Sequence, residues 1–376
     1  MRNKIYRIII LCTLIPGVIL ALGTITECKK VNDPQPEAVS KKQSKFIAVA
    51  SKSDKAAYSE DGINWTEIKM PSVADRWSVC YGNGMFIAID SGWDVRSDKV
   101  AYSEDGINWK ATSLPNKEYW SSFRYGNGKF VTIASNKAAY SLDGITWTAI
   151  TIPNGAWKNI CFGNGKFVTI SWKEKAAYSE DGINWKAVKL PFWYRQWDDL
   201  CYGNGKFVAV AYYSGEAIYS KDGSEWFEIP SFDKVSWGYS FCYAKGKFVT
   251  ANTYEVIYSE DGINWKTARL PVTEHFVGHW AIRYGNERFV AIVMGTHVGG
   301  CDIAMYSEDG IHWKKTKMPF AFWESFCYGN GKFLATGCIS VTLKPSDIAA
   351  YSEDGITWKE IKMPSIVSWS IYYCGE

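Results

Sequence analysis

The chain has 376 residues, 16% of them aromatic with 19 Trp, and a formal net charge of +3. That length suits one large repeat domain or two ordinary ones, and the aromatic excess points to a repeated Trp. Three cations (Arg2, Lys4, Arg7) lie in the first seven residues, so removing residues 1–27 leaves +1, which gives no basis for nucleic-acid binding, since that would want a clustered basic face.

Taken in chain order, a basic start is followed by an apolar run from Ile8 to Leu22. This is the pattern of a secretory signal, and it is short for a spanning helix. Three outcomes fit the residues that follow. The chain is cleaved after Gly23, or lipidated on Cys28 as a bacterial lipoprotein, or left anchored by the apolar run. The stretch "ITEC" resembles a lipobox at Ile25 and Cys28 and departs from it at Glu27. The next residues, "KKVNDPQPEAVSKKQS", are polar and Pro-containing and read as a flexible tether. The expected organisation is a signal at 1–27, a tether at 28–44 and one folded body at 45–376. The expected location is the cell envelope, either lipid-anchored or periplasmic or extracellular.

From residue 45 the octet "YSEDGINW" and its variants occur eight times, starting at residues 58, 102, 140, 178, 219, 258, 306 and 351. The units close at Pro71, Pro115, Pro153, Pro191, Pro230, Pro271, Pro319 and Pro364, at spacings of 38 to 48 residues. That is the length of a four-stranded propeller blade. In residues 154–191, "WKNICFG" reads as strand A, "KFVTIS" as B, "KAAYSE" as C and "INWKAVK" as D. Asn-Gly joins A to B and Asp-Gly joins C to D. Both dipeptides suit type I′ turns, where two residues need positive φ. The octet is therefore a hairpin corner, with Ser59 and Asp61 bonding turn amides and Trp65 covering it.

These residues resemble the Asp-box (BNR) repeat of sialidases, sortilins and photosystem II assembly propellers. Ser59, Asp61, Gly62 and Trp65 match its Ser, Asp, Gly and Trp, with one residue fewer between Asp and Trp. The resemblance implies an all-β propeller of antiparallel blades. It also implies a structural role for Asp61, Asp105, Asp143, Asp181, Asp222, Asp261, Asp309 and Asp354, on the face opposite an active site. Residues 45–71 supply strands B, C and D without A, and the closing "SWSIYYCGE" matches the strand A sequence "RWSVCYGNG" of residues 76–84. Eight blades are expected, the first completed by the C-terminal strand.

Variation is confined to the face carrying the B–C loops and D–A crossovers, which makes it the expected binding face. A Trp opens nearly every strand A (77, 120, 157, 197, 237, 280, 323, 369), either as packing between blades or as a stacking ring. Cys80, Cys161, Cys201, Cys242 and Cys327 share one strand A position and read as small buried residues. Arg124 and Arg283 occupy that same position in blades 3 and 7, either as structural arginines or as a clamp for an anionic ligand. Cys301 and Cys338, in long loops of adjacent blades, are a candidate disulfide.

Long B–C loops occur in blades 2, 7 and 8 (90–99, 295–302, 337–347), forming an expected wall with blade 1 as a gap. Trp93, Asp94, Arg96 and His297 are its candidate ligand-binding residues, suited to a sugar with an apolar face and a polar rim. All four histidines (275, 279, 297, 312) belong to the blade 7 repeat, at spacings that fit no zinc motif, so no metal or cofactor is expected. The Arg-Ile-Pro motif of sialidases is absent. Carboxylates on the variable face (Asp75, Asp90, Asp94, Asp198, Asp199, Glu274, Asp302, Glu324) have no supporting motif. The expected function is a monomeric, non-catalytic exported propeller that binds a glycan or a surface or periplasmic protein. It would meet the membrane only through its N-terminus. A divergent glycoside hydrolase and a purely structural surface protein are the alternatives.

Overall fold

The computed structural model describes residues 9–10, 44–171, 174–191, 197, 199–211, 215–229, 240–272, 279–295, 300–338 and 346–374. Among them every regular element is a strand. The strands form antiparallel sheets in the order A–B–C–D, one per repeat unit. In unit 4 these are Trp157–Gly163, Lys166–Ser171, Lys175–Ser179 and Lys186–Lys189. Burial falls from the inside outwards. Strand B of unit 4 is buried on both faces after its first residue, whereas strand D is exposed at three of four positions. Units 7 and 8 join into one seven-stranded sheet because Lys314–Gly329 runs without a break from D of one into A of the next. The inner strand of unit 6 also pairs with Ile9–Ile10.

The A–B turns follow the sequence. Asn83, Asn127, Asn164, Asn204 and Asn330 all have φ between 43° and 49°, and each precedes a glycine at positive φ. The octet corner is not the type I′ turn its Asp-Gly suggests. Gly62 takes φ of +74°, but Asp61 does not enter the left-handed region. The reason is the carboxylate. Oδ1 of Asp61 accepts the amides of Ile63 and Asn64 at 2.8 Å each and the Ser59 hydroxyl at 2.9 Å. Those bonds replace the ladder, so the corner widens and strand D restarts at Thr66. In most copies the octet Trp closes the corner from outside, as Trp109 does by donating Nε1 to the Gly106 carbonyl at 3.1 Å.

Partial burial alone would push these carboxyls up, but the amides of Asn64 and Ile63, the Asn64 side chain and Ser59 together hold Asp61 down to about 2. Asp261 is held at about 2 in the same way, and Asp105, Asp143, Asp181, Asp222, Asp309 and Asp354 are all shifted down. A depressed folded pKa adds stability above the unfolded value, and that stability is lost as pH falls through the folded one. The melting temperature is therefore expected to hold from pH 7 to 5 and to fall progressively between about pH 4 and 2. A scan at each pH checks this. A flat profile down to pH 2 would remove the octet carboxylates as stabilising acceptors.

Within each unit one aromatic of strand A packs on the Phe of strand B, from Tyr81–Phe86 at 4.7 Å to Tyr373–Phe46 at 5.0 Å, and other repeated contacts join one unit to the next. The Tyr373–Phe46 pair links residues from the two ends of the chain, and Trp369–Cys374 pairs in register with Lys45–Ala50. Each octet glycine lies against strand B of the preceding unit. A Cβ on Gly144 would fall 2.2 Å from Ile87, and one on Gly62 would fall 2.9 Å from Leu334 of unit 8. Turn asparagines bridge the same boundaries. Asn127 donates to the Glu180 carbonyl at 2.8 Å, and Asn330 to that of Glu60 at 2.8 Å.

Four consecutive units are taller than the rest. In units 3 to 6 the C–D ladder stops before the unit-closing proline, as at Lys175↔Lys189. In units 7, 8, 1 and 2 it skips the proline through a bulge and pairs again at Cys301↔Ala321, Ser346↔Val367, Ser53↔Ala74 and Ser97↔Glu118. Proline has no N–H to give a ladder, so a bulge is the way past it. Unit 1 is thus part of the wall and not a gap in it, although its B–C connection is short.

The expected Cys301–Cys338 bridge is not formed. Cys301 pairs with Ala321 and Cys338 with Phe322, on opposite sides of one strand. Two strand spacings of about 4.8 Å exceed the roughly 7 Å Cα separation a disulfide tolerates. Both are buried thiols: Sγ of Cys301 accepts the Ile303 amide at 3.4 Å, and Cys338 bonds Glu324.

Candidate functional site

The variable face is built by strand ends, and its side chains are largely committed to one another. The strand A tryptophans 77, 120, 157, 197, 280, 323 and 369 are all at most 2% exposed. Several brace the start of strand C in the preceding unit: Trp120 donates to Ser97 O at 2.9 Å and Trp323 to Cys301 O at 3.2 Å. They are packing residues. Trp237 lies outside the described residues, as do Cys28, His275, His297, Asp198 and Glu274.

Arg283 is fully buried and does not face open space. Its Nε donates to Phe326 O at 3.0 Å and its Nη1 to Ile282 O at 2.9 Å, with the guanidinium over the Phe326 ring. It ties unit 7 to unit 8. Arg124 turns back on its own strand, donating to Phe123 O at 2.6 Å. Because strand A side chains point between units, a shared strand A position does not become a pair facing a channel.

Asp75 fastens the long loop of unit 2 to the preceding crossover, its Oδ2 accepting the amides of Trp93 at 2.9 Å and Asp94 at 3.2 Å. Asp90 caps the same loop through the amide of Arg76. Asp94 meets Lys52 of unit 1 at 2.6 Å. Glu324, on a bulge of strand A in unit 8, is shifted up by burial, although Ser368 and Cys338 both bond it. His279 is buried, whereas His312 bonds Asp309 on the octet face at 2.7 Å.

Arg96 points the other way, towards unit 3. Its guanidinium lies 5.6 Å from the centre of the Tyr119 ring and its Nε 4.0 Å from the Glu118 carboxylate. There it enters a cleft of about 530 Å³, lined also by Ser135, Asn136, Asn154, Ser171, Glu174 and Lys175. The cleft occupies the step where tall unit 2 meets low units 3 and 4. Lys175 reaches across its floor to the Asn154 carbonyl at 3.3 Å. Tyr119 remains 39% exposed, so an aromatic face with a cation beside it opens onto amides, hydroxyls and two carboxylates. Trp93, 36% exposed, does not line this cleft. Among the described residues, Arg96 alone of the expected ligand contacts does. Tyr119, Asn136, Asn154, Glu118, Glu174 and Lys175 were not singled out, because short loops carry no signal of their own. Only the contrast between the long loop of unit 2 and its short neighbours marked the step.

No family model matches the chain, and no curated protein matches it. Among solved structures it is similar to virginiamycin B lyase from Staphylococcus aureus, with 12% identity over 77% of this chain and 96% of that one, at a TM-score of 0.53. It is also similar to apo AztD from Citrobacter koseri, with 10% identity over 88% and 98% at a TM-score of 0.57. The computationally designed Ika8 protein matches with 10% identity over 85% and 97% at a TM-score of 0.56. At these identities the likeness establishes the fold alone, a β-propeller of four-stranded antiparallel sheets.

Proposed function

We propose that the chain is an exported, eight-bladed propeller of Asp-box type, closed by its C-terminal strand, which binds a glycan in the step cleft without transforming it. The closure is supported by the pairing of Trp369–Cys374 with Lys45–Ala50 and by the Gly62–Leu334 contact between the last and first units. The observation that carries the ligand reading is the half-exposed Tyr119 ring beside Arg96, opening onto Asn136, Asn154 and Ser135. A pyranose offers an apolar face for such a ring and a rim of hydroxyls for such amides.

A glycan-array screen tests the reading, followed by affinity measurements on the ligand found. Tyr119→Ala and Arg96→Ala are each expected to weaken it by about 1–3 kcal/mol, the range of desolvated contact residues. Trp93→Ala, outside the cleft, is expected to leave it within about twofold, well inside the 1.4 kcal/mol of a tenfold change. Equal loss in all three variants would move the site to the wall, and no binder on the array would sink the glycan. Glu118 and Glu174 line the same cleft, which favours a glycoside hydrolase as the second reading. Turnover of fluorogenic glycosides that vanishes in Glu118→Gln or Glu174→Gln would replace binding with hydrolysis.

A further inference from the structure

An asparagine followed by glycine is the dipeptide most open to loss of its own side-chain amide, because no Cβ hinders the approach of the glycine nitrogen to Cγ of the asparagine. Six such dipeptides occur in this chain, beginning at residues 83, 127, 154, 164, 204 and 330. Five are A–B turns, with Asn at a φ of 43° to 49° and the flanking residues paired across the ladder, as Gly163 is with Lys166. Attack on Cγ closes a five-membered ring, so Cβ and the glycine nitrogen must eclipse about the Cα–C bond. A closed two-residue hairpin fixes that rotation. Three turns also tie down the side-chain amide: Asn127 donates to Gly165 O at 2.7 Å, Asn204 to Glu260 O at 2.9 Å and Asn330 to Glu60 O at 2.8 Å.

Asn154 is the exception. It lies outside the ladders, between Thr148–Ile150 and Trp157–Gly163, and is exposed in the step cleft. Its φ is not left-handed, and among the described residues neither its side-chain amide nor the Gly155 N–H has a hydrogen-bond partner. Glycine at 155 has a packing reason of its own. A Cβ there would fall 2.6 Å from the Trp157 ring, whose Nε1 donates to the Pro153 carbonyl at 2.8 Å. The carbonyl of the 154–155 peptide bond accepts Lys175 Nζ at 3.3 Å. A cation on that oxygen draws density from the amide and favours its deprotonated form, which is the nucleophile. Free rotation and an activated nitrogen thus coincide at this one dipeptide.

We propose that Asn154 is a self-modifying site, which converts the floor of the step cleft from amide to carboxylate as the protein ages. The Gly155 nitrogen gives its proton to solvent base and attacks Cγ of Asn154. The Cγ–Nδ2 bond breaks, and the amide nitrogen takes a proton from water and leaves as ammonia. One water then opens the ring at either carbonyl, leaving aspartate or isoaspartate. Nothing is oxidised or reduced, and water is the only co-reactant. The product sets a third carboxylate beside Glu118 and Glu174, against the same two cations, Arg96 and Lys175. A balanced cleft becomes a negative one, and isoaspartate also adds a backbone methylene beside the Trp157 ring. As control of a ligand site this rests on the cleft reading above, whereas the chemistry depends on this segment alone.

The test incubates the full chain at mildly alkaline pH and maps its peptides by mass, with isoaspartate labelled by an isoaspartyl methyltransferase. No ligand is involved, so failure here is separate from failure of the glycan reading. The amide-to-acid mass gain is expected at residue 154 at least about tenfold faster than at any turn asparagine, a barrier difference of about 1.4 kcal/mol. In denaturant the six sites are expected to convert at similar rates. Lys175→Met is expected to slow conversion at 154 and leave the five turns as they were, and Lys175→Arg, which keeps the cation, is expected to restore it. Equal rates at the six sites in the folded chain, or turns that convert while Asn154 stays intact, would overturn the proposal. So would a gap that persists in denaturant, which would place the cause in the sequence, or an unchanged rate in Lys175→Met.

Discussion

A chain ending at Pro364 is expected to lose its single cooperative melting transition, or to melt more than about 10 °C lower than the full chain. The deleted residues contain Trp369, Ile371 and Tyr372, all at most 2% exposed. Burying each contributes about 1.5–3 kcal/mol, so roughly 5–9 kcal/mol is withdrawn. Net stabilities are only about 5–15 kcal/mol, so little would remain. The deletion also leaves the inner edge of Lys45–Ala50, a strand buried at every position, without its ladder. Circular dichroism melts of the two chains decide it. Identical midpoints would show that the first unit is complete without the last strand, and the closed ring would have to be abandoned.

The second large effect comes from a glycine whose backbone is ordinary. Gly163 has no positive φ, yet a Cβ there would fall 2.1 Å from Cγ of Tyr202 on the next unit. Gly163→Ala is expected to cost about 3 kcal/mol, the upper range for overpacking. The ring cannot retreat, because it is packed on Phe207 at 4.8 Å. Gly165 is the opposite case, with φ of +71° and nothing within 4 Å of a Cβ. Gly165→Ala is expected to cost only about 1–2 kcal/mol, from conformation alone. Gly165→Asn should recover most of that, whereas Gly163→Asn should be worse than Gly163→Ala. Equal costs at the two sites in chemical denaturation would mean that the rings between units yield easily. The chain contains two natural exceptions at the equivalent end of strand A, Ala244 in unit 6 and Cys374, which pairs with Lys45 of unit 1.

The architecture was legible because it is written in local chemistry. Asn-Gly turns, a repeated octet and a unit-closing proline each act over a few residues, and eight copies make the pattern hard to miss. The octet corner was legible in its residues but not in its geometry, since Asp61 uses its side chain where a type I′ turn would use its backbone. What failed depended on direction. Cys301 and Cys338 are close along the fold but lie on opposite sides of one strand. Arg124 and Arg283 share a position that points between units and not into a channel. The wall was half legible: long loops marked units 2, 7 and 8. Unit 1 joins it through Ser53, whose hydroxyl accepts the Lys55 amide at 3.1 Å and which pairs with Ala74. The same bond recurs at Ser97 and Ser346. A Ser-Asp opening to strand C was therefore the available sign of height, and loop length was a poorer one.

Lys45–Ala50 lies between Trp369–Cys374 on one side and Ser53–Ser59 on the other, in register with both. A pull transmitted along the chain from residue 44 therefore runs parallel to that strand. The six pairs on one side and four on the other bear it together, in shear. They cannot be unzipped one at a time, as they would be if the first strand of the body lay at an outer edge. A pull applied at residue 44 would thus be borne by a strand buried at every position.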